Sequence, residues 1–115
     1  MPFPTQIDQV SVPVKANVYF DGKVVSHTLL HADGARQTLG LIYPGEYRFN
    51  TGAPERMDIV AGVCRVRVAA AADWTGYAAG ESFDVPGDAS FEIAVAEGIC
   101  EDRKSTRLNS SHLVL

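Results

Sequence analysis

Glu55 stands two residues before Met57 in "PERMDIVAG", where Met57, Ile59 and Ala61 alternate with Asp58 and Val60. A period of two puts this carboxylate on the same strand face as three apolar side chains. An acid held among apolar neighbours loses hydration, so its pKa rises. It can then act as a hydrogen-bond acceptor or as the counter-charge to a cation formed beside it. The plain alternative is a carboxylate satisfied by a neighbouring Tyr or Thr hydroxyl. The other reactive residue types are sparse. Cys64 and Cys100 share no metal or redox spacing and read as two reduced, buried thiols. His27 and His31 have no partner at ligand spacing and read as structural.

The elements that must position Glu55 are short strands separated by turn chemistry. "QVSVPV" alternates, but Pro13 cannot donate to a ladder, which marks an edge strand. "NVYF" runs into Asp21-Gly22, the signal of a two-residue hairpin, and "KVVSHTLLH" runs into Asp33-Gly34. "RQTLGLIY" ends at Pro44-Gly45, "EYRFNT" at Gly52-Ala53-Pro54, and "RMDIVAG" turns at Gly62 into "VCRVRVA". "ESFDV" ends at Pro86-Gly87 and "FEIAV" closes the set. No segment is convincingly amphipathic at helical period, and Ala69 to Ala72 is a single turn long. Evenly spaced strands with Gly and Pro between them predict an all-β fold, a sandwich or barrel.

The chain has 115 residues, one domain's worth, with 46% hydrophobic and 21% charged residues and a net charge of −4. Arg65 and Arg67 are its only basic pair before residue 102, which argues against a nucleic-acid polymer as partner. No run of about 18 apolar residues predicts a membrane span. "MPFPTQIDQV" lacks the basic start and apolar stretch of a secretory signal, so the expected compartment is the cytoplasm. The last fourteen residues, "DRKSTRLNSSHLVL", change character: they are polar and basic, with no period of two. Asp102 to His112 also equals the in-frame translation of a common sequencing-adapter oligonucleotide. The expected organisation is therefore a β-domain over 1–101 and a foreign, disordered tail over 102–115, whose removal after Glu101 should not lower stability.

Glu55 followed by six residues and Gly62 resembles the end of the first cupin motif, in which the glutamate is a metal ligand preceded by two histidines. Here the histidine slots fall on Phe49 and Thr51. The second cupin motif is matched by Gly80, Pro86 and Gly87, and its histidine slot falls on Ser90 or Phe91. One carboxylate cannot hold a transition metal against water, so neither a metal nor another cofactor is expected. The ordered set "NVYFDGKVVSHT", "TLGLIYPGEYRF-x-T", "PERMDIVAG", "DW-x-x-Y-x-AG", "F-x-VPG-x-x-x-F" and "VAE" resembles the pyrimidine/purine nucleoside phosphorylase family of small bacterial cupins, from about Asn17 to Glu101. The departure lies after Glu101, where that family continues with a short apolar strand.

The resemblance implies a single cupin-type jelly-roll β-barrel and a metal-free phosphorolysis. Nucleoside plus inorganic phosphate would give free purine or pyrimidine base and α-D-ribose 1-phosphate. Such a reaction builds positive charge on the ribose and negative charge on the departing base. It implies Glu55 as the catalytic anion beside the sugar, Phe49, Phe83 and Phe91 as stacking walls for the base, and Thr51 and Ser90 as donors. Lys23 and Arg36 would serve phosphate, and Tyr19, Tyr47 and Trp74 the mouth or a subunit interface. Stacking rather than edge-reading would explain breadth toward both base classes. A homodimer is expected. The rival reading is a non-catalytic cupin module that binds a small aromatic metabolite.

Overall fold

The computed structural model describes residues 3–106 apart from 70 and 72. It is all-β. The strands are β1 (Val10–Ser11), β2 (Asn17–Tyr19), β3 (Val24–His31), β4 (Arg36–Ile42), β5 (Gly45–Asn50), β6 (Glu55–Ala61), β7 (Val63–Val68), β8 (Thr75–Ala78), β9 (Ser82–Val85), β10 (Ser90–Val95) and β11 (Cys100–Thr106). One sheet runs β1-β3-β4-β11-β6-β9, with β2 also on β3, and the other runs β5-β10-β7-β8. The sheets face each other over one core, in which Ile59, Val85 and Cys100 of the larger meet Val66, Cys64 and Ile93 of the smaller. Alternation along each strand supplies this inner face.

Three expectations change. The barrel is not closed: both sheets keep edges, so the architecture is an open two-layer sandwich. The β2–β3 connection is longer than a two-residue hairpin. Phe20, Asp21 and Gly22 all take positive φ in a short 3-10 turn, and Tyr19↔Val24 is the last register pair. The strand β8 has no strong period-2 signal, yet it pairs with β7 from Val63↔Ala78 to Val66↔Thr75.

The largest correction concerns the tail. Asp102 to Thr106 are not disordered: they complete β11, which lies between β4 and β6 and pairs with both. The backbone explains this, because β4 and β6 leave unpaired N–H and C=O rows that an extended segment in register satisfies. Its charged side chains then find local partners. Asp102 is buried and lies against Gly40, where a Cβ would collide with its Oδ1. Arg103 donates to Asp58 Oδ2 from Nη2 at 2.7 Å and from Nε at 3.1 Å, and Ser82 donates to Asp58 Oδ1 at 2.7 Å. Gln37 Nε2 donates to Ser105 Oγ at 2.9 Å. Residues 107–115 lie outside the described residues.

Gly62 makes the corner between the sheets, since β6 ends at Ala61 and β7 begins at Val63. Its φ is +83°, and a Cβ there would lie 2.9 Å from Cys100 Cα and would strike the Ile99 carbonyl. Only glycine allows this close backbone approach.

Candidate active site

Two connected hollows lie between the sheets at the end opposite Gly62. The inner one, ≈180 Å³, is walled by Tyr19, Phe49, Met57, Phe91 and Ile93, with Glu55, Asp102 and Lys104 also lining it. The outer one, ≈400 Å³, is a cleft lined by Asn17, Thr28, Arg36, Gln37 and Thr106 among others. Tyr19, Thr38, Glu55 and Lys104 line both. Glu55 therefore stands at the junction between an aromatic pocket and a polar mouth.

The strand period puts it there. β6 turns Glu55, Met57 and Ile59 inward and leaves Arg56 and Val60 outward. The Glu55 side chain is 16% exposed, and Lys104 Nζ lies 3.8 Å from its Oε2. Burial pushes the Glu55 carboxyl up from its ordinary value, while Lys104 pulls it partly back. Asp102, deeper in, is pushed up to about 6, first by burial, with Glu55 and Asp58 adding to the rise and Lys104 opposing it. The inner wall is a chain of rings. Phe49 and Phe91 stack at 5.6 Å between centroids, Tyr19 meets Phe49 edge-on at 5.8 Å, and Phe20 meets it at 5.4 Å.

Of the residues assigned from the sequence, Glu55, Phe49 and Phe91 come together around the inner pocket, and Arg36 lines the cleft. The others lie elsewhere. Thr51 is buried and its hydroxyl clamps the β9–β10 turn, donating to the Pro86 carbonyl at 2.6 Å and accepting from Ala89 N–H at 3.1 Å. Phe83 packs in the core, stacked on Tyr77 at 4.8 Å, outside the pocket lining. Ser90 accepts from Arg48 Nη2 at 3.4 Å, and Lys23 is an exposed residue closing the Phe20–Gly22 turn; neither lines a hollow. Tyr47 is buried, with its hydroxyl spent on the Tyr43 and Pro44 carbonyls at 2.7 and 2.8 Å. Trp74 lies under the guanidinium groups of Arg65 and Arg67. His31 Nε2 pairs with Gln37 Oε1 at 2.8 Å.

The wall formed by β2, β3 and β4 escaped the sequence reading. Asn17 Nδ2 donates to Thr28 Oγ1 at 3.1 Å and Ser26 Oγ at 3.2 Å, and Ser26 and Thr28 are buried. With Thr38 this is a ladder of hydroxyls beside the cleft. Its signal was polar residues at every second position, Ser26 and Thr28, on the inward face of β3. Among the described residues no three His, Cys, Asp or Glu side chains converge as a metal set.

Comparison with known proteins gives this geometry its context. The profile of the pyrimidine/purine nucleoside phosphorylase family matches residues 14–100. A protein of that name from Cupriavidus metallidurans is 61% identical over 93 residues, covering 81% of this chain and 90% of the relative. The solved structure of a protein of unknown function from Acinetobacter sp. ADP1 superposes with a TM-score of 0.86 at 40% identity, covering 89% of this chain and 98% of the other. A cupin-2 domain protein from Shewanella frigidimarina shares the fold at a TM-score of 0.58 and 13% identity, over 70% of this chain and 76% of its own. With three quarters of its length matched, hollow and aromatic wall included, the chain belongs to the pyrimidine/purine nucleoside phosphorylase family.

Proposed function

We propose that the hollow between the sheets carries out phosphorolysis of purine and pyrimidine nucleosides without a metal ion. The observation that carries this reading is the place of Glu55, a partly desolvated carboxylate where the aromatic pocket meets the polar cleft. The base enters between Tyr19, Phe49 and Phe91, and every base offers a π-face to them. The ribose then lies at the junction, with its C1′ facing Glu55. Phosphate sits in the cleft near Arg36. A phosphate oxygen bonds to C1′ as the C1′–N bond breaks, and its electron pair leaves with the base, which takes up a proton. Positive charge on the ribose in passing is matched by the Glu55 carboxylate. The products are free base and α-D-ribose 1-phosphate. The protein works in the cytoplasm as a homodimer, paired through the outer face of the large sheet.

Incubation with uridine or adenosine tests this directly. Free base should appear only when phosphate is present, chelators should leave turnover unchanged, and Arg36→Ala should raise KM for phosphate more than KM for nucleoside. Release without phosphate would make the protein a hydrolase. Binding of uridine without any release would make it a binding module.

A further inference from the structure

Cys64 and Cys100 are both free and fully buried, and phosphorolysis uses neither. They belong to opposite layers, Cys64 to β7 of the smaller sheet and Cys100 to the start of β11 in the larger. The Gly62 corner brings them together, because Gly62 backs directly onto Cys100 and Cys64 follows two residues later. Within the core cluster the two side chains hydrogen-bond each other. That bond holds the Cys64 thiol above its ordinary value and Cys100 below. Sulfurs already in contact reach bonding distance, about 2.05 Å, by side-chain rotation alone. A surface groove of ≈480 Å³, lined by Gly62, Val63, Cys64 and Ile99, runs over this corner.

We propose that Cys64 and Cys100 are an oxidation site, a dithiol that a peroxide converts into one disulfide between the sheets. Cys100 Sγ attacks the peroxide O–O bond, becomes a sulfenic acid and releases one water. Cys64 Sγ then attacks the Cys100 sulfur, the S–O bond breaks, and the hydroxyl leaves as a second water with the Cys64 proton. Two thiols and one hydrogen peroxide give one disulfide and two waters: sulfur is oxidised and peroxide reduced. The bridge ties β7 to β11, and β11 carries Asp102 and Lys104 into the hollow.

The test treats the full chain with hydrogen peroxide in native buffer, then denatures it in an alkylating reagent and measures the intact mass and a digest. The expected product is an unalkylated monomer lighter by two hydrogens, with one peptide pair linking Cys64 to Cys100. Its thermal midpoint should rise by at least about 4 °C and fall back on reduction. In Cys64→Ser the same treatment should carry Cys100 on to sulfinic or sulfonic acid. Those acids in the unsubstituted chain would overturn the proposal, as would disulfides between molecules. So would two alkylatable thiols surviving a treatment that fully oxidises the denatured chain. The mass measurement decides the matter even if Cys64→Ser fails to fold.

Discussion

At Glu55 the same few ångströms of structure raise and lower one ionisation, burial acting against Lys104. Glu55→Gln keeps the shape and removes the charge. Phosphorolysis should fall by about 10²–10³, the size of a lost electrostatic contact to the transition state. The fall should be equal for uridine and adenosine, because a group acting at the sugar cannot tell the bases apart. Parallel kinetics on the two substrates check it: loss on one base class alone would make Glu55 a reader of the base. Stability should hold, since a neutral amide is easier to bury than a carboxylate. The neighbouring positions show what a sequence reveals about a site. Glu55 was legible because a charge interrupts an apolar alternation. Phe49 and Phe91 were legible through motif spacing and strand parity. Thr51 and Phe83 share that inward parity, but parity does not say whether an inward side chain meets a cavity or another residue. Thr51 met the Pro86 carbonyl and Phe83 met Tyr77.

Among the elements, β11 teaches most. Strands from β2 to β7 were legible because Gly and Pro punctuate clear alternation. β11 was not, because composition argued against a sheet while two vacant backbone rows argued for one, and the second consideration is invisible until β4 and β6 are placed. Truncation after Glu101 should therefore destabilise the domain, seen as a lower urea midpoint; an unchanged midpoint would show that β4 and β6 do not need this strand. Asp102 provides a finer measure. Its carboxyl titrates near 6 in the folded chain against 3.8 for an ordinary aspartate. Between those values the folded state binds more protons than the unfolded, so stability falls as pH rises through the window and stays lower above it. Asp102→Asn should therefore be more stable at pH 7, by up to about 3 kcal/mol. That gain should vanish toward pH 4, where both forms are neutral. Urea unfolding at the two pH values checks the sign. If the 102–115 segment is foreign, an alternating apolar segment at 102–106 should stabilise more than the single amide.

On the scale of the molecule, the outer face of the large sheet carries a row of exposed apolar side chains. Val18 aligns with Val25 and then Leu41 across β2, β3 and β4, and Leu39 and Val60 lie on the same face. Val18 is 61% exposed and Val60 46%, which is the pattern of a surface that another copy covers. The double substitution Val18→Glu, Val60→Glu should yield monomers by analytical ultracentrifugation while the free-base assay still reports turnover. Dimers surviving both charges would place the interface elsewhere. The position of β11 has one more consequence, for the order in which the chain is made. Its partners β4 and β6 emerge from the ribosome well before it, and neither pairs with the other. Until Cys100–Thr106 appears, the nascent protein holds two half-sheets with raw edges facing a gap the width of one strand. Those edges invite pairing with neighbouring chains. Because closure joins residues about half the chain apart, it comes late and slowly. The burden on chaperones falls in that interval, and a last strand that inserts readily shortens it.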